Sequence, residues 1–217
     1  MKKKRLPTLR YYFSVEGETE FLYLDWLKER INEKDSCCVK FDIKVEKSPL
    51  AHTRQLSIIQ ETDVWHFCDY ESPEPEHIRQ FKKTIDEMRE AGKHKQVRYH
   101  LGYSNFAFDL WIILHKKACN GAKAHRRQYI SEINSAFHER FENMDQYKHK
   151  NNFKRCLAKI SLDDVKMANA RSKTIMKNHI DRGSQLQKYR GYSYYADNPS
   201  LAVHEIIEKI LIDCGLD

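Results

Sequence analysis

The chain has 217 residues, 41% hydrophobic and 32% charged, with only 7 Gly and 5 Pro; that suffices for one core and argues against wholesale disorder and collagen-like or low-complexity character. Its longest apolar run, residues 110–114, is far below the roughly 18 residues of a membrane span. The basic start Met-Lys-Lys-Lys-Arg has no apolar stretch behind it, so a cytoplasmic protein without signal peptide or membrane contact is expected. The net charge of +7 is local, because residues 116–159 hold eleven basic and four acidic side chains. Tyr129, Phe137, Phe141, Tyr147 and Phe153 are interleaved there. Such a block suits a polyanion such as nucleic acid, and equally a solvated helical surface.

Residues 9–15 (LRYYFSV) are aromatic and β-branched and read as a strand ending at Glu16-Gly17. Residues 18–32 place Phe21, Leu22, Leu24, Leu27 and Ile31 at helical spacing. Over 38–45, Val39, Phe41, Ile43 and Val45 alternate with polar residues, the mark of a half-buried strand. A short helix is expected over 53–61 and a strand over 64–68 (VWHFC), ending at Asp69. Pro73 and Pro75 open a helix that Gly92 stops. Residues 97–103 form another strand and 106–117 an apolar helix. This alternation predicts an α/β fold with a mostly parallel sheet flanked by helices.

Beyond Lys117 the pattern turns helical: 124–141, 162–180 and a terminal helix over 199–214, with Asn198 as N-cap and Pro199 at its first position. No strand is expected after Tyr103. The expected organisation is an α/β core over 1–117 and a basic helical extension over 118–217 completing the same domain. Cys37, Cys38, Cys68, Cys119, Cys156 and Cys214 form no C-x-x-C pair. They read as reduced thiols, and no zinc site is expected.

In an open α/β sheet, functional groups gather at the carboxyl ends of the strands. Three ends are marked here: Glu16-Gly17-Glu18-Thr19-Glu20, Asp69-Tyr70-Glu71, and Ser104-Asn105 followed by Asp109. Like charges brought together repel unless a cation sits among them, and hard oxygen ligands suit Mg²⁺ or Mn²⁺. Each piece also has an ordinary reading. Glu18 and Glu20 fit the dipole of a helix's first turn, Asp69 and Glu71 lead into the Pro73 turn, and Asn105 can cap the following helix. His52, His66, His100 and His115 are scattered, as structural histidines are.

The runs Val15-Glu16-Gly17-Glu18-Thr19-Glu20, Asp69-x-Glu71 and Ser104-Asn105-Phe106-Ala107-Phe108-Asp109-Leu110-Trp111-Ile112-Ile113-Leu114-His115 resemble the RloB-like proteins. The resemblance continues through Tyr147-Lys148, Ala168-x-Ala170-x-x-Lys173 and Asn198-Pro199-Ser200-x-x-Val203-His204. It implies a Toprim-like fold with a metal-binding core over 1–117, and a nuclease that cleaves phosphodiester bonds in DNA or RNA, tRNA included, using Mg²⁺ or Mn²⁺. By that resemblance Glu16, Asp69 and Glu71 hold the metal with Asp109, and Lys148 meets the scissile phosphate. Glu20, Ser104, Asn105 and His115 surround them, and Lys148, Lys150, Lys154 and Arg155 track the nucleic acid. The implied setting is phage defence beside an ABC-type ATPase, and self-association is compatible with it. The chain departs from the family pattern at Glu71 (commonly Asp), Phe106 (commonly Pro) and Asp109 (commonly Glu). A second reading keeps the fold without catalysis, as a module binding nucleic acid or the ATPase. A third, a phosphotransferase or primase-like polymerase, lacks nucleotide-binding features; there is no G-x-x-x-x-G-K-[ST] loop.

Overall fold

The computed structural model describes residues 8–217. Strand Thr8–Val15 (β1) leads through helix Glu18–Asn32 (α1) to strand Cys38–Val45 (β2), which pairs with β1 in parallel from Thr8↔Cys38 to Val15↔Val45. Parallel neighbours require such a crossover, because a tight turn cannot reverse the chain twice. Helix Pro49–Gln55 (α2) then precedes strand Thr62–Asp69 (β3), which lies parallel on the other side of β1. Helix Pro75–His94 (α3) carries the chain to strand Val97–Asn105 (β4), parallel to β3 with Asp69 opposite Ser104.

A buried helix, Asp109–Leu114 (α4), follows, and all six of its residues are inaccessible. Tyr129–Phe137 (α5), Met144–Lys148 (α6), Lys150–Leu157 (α7) and Leu162–Asp181 (α8) come next. Strands Leu186–Tyr189 (β5) and Tyr192–Tyr195 (β6) form a hairpin, Ser200–Leu201 (β7) pairs antiparallel with β4, and helix Val203–Asp213 (α9) ends the fold. The five-stranded sheet has the order β2-β1-β3-β4-β7.

Alternation along β1 and β3 sorts side chains by face. Phe13, Val15, Phe41 and Phe67 enter a large core with α1, α4, α5, α8 and α9, centred on the fully buried Trp111. The other face packs Val64, Met88 and Tyr99 in one cluster and Phe81, Tyr103 and Tyr194 in another. Each large side chain removed from water contributes roughly 1.5–3 kcal/mol. Among the described residues no helix is long and apolar enough to cross a membrane.

Several expectations are corrected. The helix expected over 53–61 lies at Pro49–Gln55, because the Ser48 side chain accepts from Ala51 N–H and Pro49 supplies the first helical φ. The helix expected over 106–117 begins only at Asp109: β4 runs on to Asn105, and the Phe106 carbonyl and Phe108 N–H bond Glu71 and Asp69 rather than the helix ladder. The stretch 124–141 splits into a 3-10 turn at Arg126–Gln128 and α5, since the Asn134 side chain binds both backbone groups of Phe141 and closes the chain back.

The terminal helix starts at Val203, not 199. Asn198 spends its side chain on the backbone of Lys123, and Ser200–Leu201 joins β4. Three strands therefore follow Tyr103 where none was expected. The β5–β6 turn is set by Arg190 and Gly191 at φ +52° and +92°, the left-handed pair that hairpin twist favours. Finally, not all cysteines are free thiols. Cys37 and Cys214 are joined, with Cα atoms 5.2 Å apart, while Cys68, Cys119 and Cys156 are buried thiols and Cys38 is exposed.

Candidate functional site

The carboxyl ends of β1 and β3 lie side by side, and Glu16 follows one as Asp69 ends the other. The Asp69 N–H donates to Glu16 Oε2 at 3.3 Å, so the two acids share one corner of the sheet. Asp69 Oδ1 in turn accepts from Phe108 N–H at 2.9 Å, which draws the start of α4 over the strand ends. Asp109, on the first turn of α4, is brought in by that contact and is almost wholly inaccessible. Lys148 Nζ, from the end of α6, lies 3.2 Å from Asp109 Oδ2.

Glu20 completes the group from below. Gly17 has extended backbone, and a Cβ there would meet Glu20 Oε2 at 3.0 Å, so the glycine makes room for the carboxylate. Thr19 Oγ1 donates to the same oxygen at 2.8 Å, and Glu20 is 4% exposed. An acid that served only the helix dipole would sit in solvent, so Glu20 belongs to the site.

The electrostatics follow from Asp109, Asp69 and Glu20 around the Lys148 ammonium, with Glu16 beside Asp69. Burial pushes the Glu16 carboxyl up to about 7; the Asp69 N–H and Lys47 oppose this, while Glu20 and Glu71 add to it. Burial raises Asp69 well above the ordinary carboxylate range, helped by the charges of Glu20, Glu16 and Asp109 and opposed by Lys148. Glu20 is raised chiefly by burial, against its own N–H, Thr19 and Lys148. Burial opposes the charge on Lys148, but Asp109, Asp69 and Glu20 outweigh it and hold the ammonium above the usual lysine value. Tyr147, beside Lys148, is buried among the same groups and its hydroxyl has no hydrogen-bond partner among the described residues.

Other expected members lie elsewhere. Glu71 sits at φ +64°, and its carboxylate is bound by His77 Nε2 at 3.0 Å and Arg126 at 3.5 Å. The second acid of the Asp-x-Glu pair thus stands at the rim, because the left-handed backbone turns it off the strand's direction. Asn105 gives its amide to the Ala196 carbonyl, and its side-chain oxygen has no partner among the described residues. His115 is core: it bonds the Trp111 carbonyl and Tyr23 hydroxyl, and burial lowers it to about 4. Ser104 stays beside Asp69 in register, its hydroxyl unpartnered among the described residues.

Many cations of the basic block are held in ion pairs, although the block keeps its net positive charge. Arg155 and Lys159 hold Glu139, Lys117 and Lys123 hold Glu132, and Lys116 holds Asp164. Lys150 reaches Glu18 at 3.8 Å, which keeps the start of α7 beside α1 and the acids. Lys154 is exposed. Lys47, after β2, was not singled out from sequence, although the strand-end rule that marked Glu16 applies to it equally.

The fold and this corner define an α/β protein with a buried acidic site, capped by a lysine, at the carboxyl edge of a mostly parallel sheet. The chain belongs to the RloB-like family, whose model matches residues 11–210. No curated protein and no solved structure matches it.

Proposed function

We propose that the chain is a Mg²⁺- or Mn²⁺-dependent nuclease of Toprim type. It hydrolyses phosphodiester bonds in DNA or RNA, as a phage-defence effector working with an ABC-type ATPase. The observation that carries this reading is the convergence of Glu20, Asp69 and Asp109 on the ammonium of Lys148, with Glu16 held beside Asp69 by its N–H. Among the described residues no group of three or more His, Cys, Asp or Glu is already arranged to hold a metal ion. The donor set nevertheless fits one: it is all hard oxygen, and its buried acids outnumber the one ammonium, Lys148, that meets Asp109 Oδ2.

Glu16, Asp69 and Asp109 would hold the ion, with Glu20 behind them. When bound, a divalent cation supplies Lewis-acid stabilisation of the phosphoryl oxygens and a more acidic water. The chain's own part is to keep Lys148 charged, so that it donates to a non-bridging oxygen as negative charge grows there. Phe108 N–H fixes the Asp69 carboxylate against rotation. Because the Glu16 carboxyl titrates near neutrality, ion loading releases protons at pH 6–7.

The test incubates the protein with plasmid DNA and with total tRNA, in Mg²⁺, Mn²⁺ or chelator, with and without the partner ATPase. Mn²⁺ titration calorimetry runs in parallel in two buffers of different ionisation heat. Metal-dependent cleavage lost in Asp69→Asn, with proton release on loading, is expected. Neither cleavage nor Mn²⁺ binding under any condition would overturn the reading. A second reading, a catalytically weak module that binds nucleic acid or the ATPase, draws support from the commitment of Asp109 to Lys148 and of Glu71 to His77 and Arg126. It is favoured if nucleic acid binds and is never cut.

A further inference from the structure

A buried acidic corner repels the phosphodiester it is proposed to act on, so cations must flank it. The basic block supplies Lys148 and Lys150, which lie against Asp109 and Glu18. Lys148 sits on Asp109 after β4, and most of the block's other cations are already paired with acids. The opposite side is formed by the end of β2. There Val15 and Val45 are in register, and Glu46 N–H donates to the Val15 carbonyl at 2.9 Å. The residue after Glu46 therefore emerges beside Glu16.

That residue is Lys47, and the turn around it is closed on itself. Ser48 N–H donates to Glu46 Oε1 at 3.1 Å, Ser48 Oγ bonds Glu87, and the same hydroxyl caps α2 at Ala51. Both neighbours are thus spent on internal bonds. Lys47 is left exposed, makes no ion pair among the described residues, and acts by its charge on the Glu16 carboxyl. The strand order puts Lys47 after β2, Glu16 after β1 and Asp69 at the end of β3, where Asp109 and Lys148 meet it.

We propose that Lys47 is a second phosphate-binding residue of this site, so that the nucleic-acid strand crosses the acids from Lys47 to Lys148. The inference rests on the nuclease reading above and specifies how its substrate lies. Two strand intervals of about 4.8 Å separate the ends of β2 and β3, about 10 Å. At 3.4 Å per nucleotide of a duplex strand, that track covers about three nucleotides. The substrate backbone then runs across the strand ends, rather than along the basic helices as the charge pattern alone suggested.

The experiment measures binding of a fluorescein-labelled 20-nucleotide single-stranded DNA and of labelled tRNA by anisotropy, in chelator, from 50 to 200 mM KCl. Wild type is compared with Lys47→Gln, Lys47→Arg and Lys40→Gln. Lys40 is exposed on β2, seven residues back and about 20 Å away, so its loss changes net charge equally without touching the site. Expected is a slope of log affinity against log salt lower by about 0.7 on the single strand, in Lys47→Gln only. Wild type then loses an extra factor of about 2.6 over that salt range relative to Lys47→Gln. Lys47→Arg should behave as wild type. If wild type binds and Lys47→Gln matches Lys40→Gln in slope and affinity, the assignment of Lys47 fails while the nuclease reading stands. If wild type binds neither probe, the assignment of Lys47 also fails, and the nuclease reading stands or falls on the cleavage and Mn²⁺-binding test above.

Discussion

Replacing Glu16 by glutamine removes one carboxyl and keeps an oxygen to accept from the Asp69 N–H, 3.3 Å from Glu16 Oε2. Folding moves this carboxyl from an ordinary 4.5 to about 7, chiefly by burial. At 1.36 kcal/mol per pH decade that is about 3 kcal/mol, and screening of a side chain that is only partly buried reduces it to about 2 kcal/mol. The sign follows from proton linkage. The folded state holds the proton more tightly, so this group's stabilisation is complete below pH 4.5 and is lost as pH rises through about 7. Glutamine carries no such loss. In chelator, Glu16→Gln should therefore match wild type at pH 4 and exceed it by about 2 kcal/mol at pH 8, or about 4–8 °C in Tm for a chain of this size. Urea unfolding at half-unit steps from pH 4 to 8 reads the difference between the two proteins directly. A difference that does not change with pH, or a Glu16→Gln protein less stable than wild type at pH 8, would refute the picture of a carboxyl raised by its burial at this corner.

Two further outcomes concern the scaffold beneath the site. At Gly102 an added Cβ would lie 2.5 Å from Phe67 Cδ1 in the core face of β3, so Gly102→Ala should cost about 1–3 kcal/mol in urea unfolding; an unchanged midpoint would show that Phe67 has room to move. Ser14 Oγ and His66 Nδ1 are 2.7 Å apart, fully buried, between β1 and β3 just below Glu16 and Asp69, and burial drives His66 down to about 3, hence neutral. Ser14→Ala leaves that nitrogen unpaired and should cost about 1–3 kcal/mol, with Ser14→Thr, which keeps the hydroxyl, recovering part of the loss.

Hydrophobic period and strand-end chemistry are local properties, and what depends on them was readable in the chain. Phe13, Val15 and Phe41 alternate because a strand's side chains do. The all-apolar run from Leu110 to Leu114 reads as a helix buried on every side, and it is one. The E-G-x-x-E spacing brings Glu16 and Glu20 to one strand end, and the structure shows why the glycine stands between them: a Cβ at position 17 would press on the Glu20 carboxylate. The ordered alternation of strands and helices sufficed for a mostly parallel α/β sheet, since crossovers leave few alternatives.

What the sequence did not carry depends on partners far along the chain and on the direction of single side chains. Cys37 and Cys214 are 177 residues apart, and nothing near either one signals the other. Ser200–Leu201 is too short for a strand signal and pairs only because β4 offers it an edge. Glu71 and Asp69 are two residues apart and would share a face of an extended strand, but the left-handed backbone at Glu71 delivers its carboxylate to His77 and Arg126. Charge counting found the excess of cations over residues 116–159, yet only the folded chain reveals how many of them are already matched to Glu132, Glu139 and Asp164. It also sets Lys47, from outside that block, at the side of Glu16. Composition sums charge over the chain, whereas the field at one carboxylate falls off within a few ångströms, so the tertiary structure alone decides which lysine it feels.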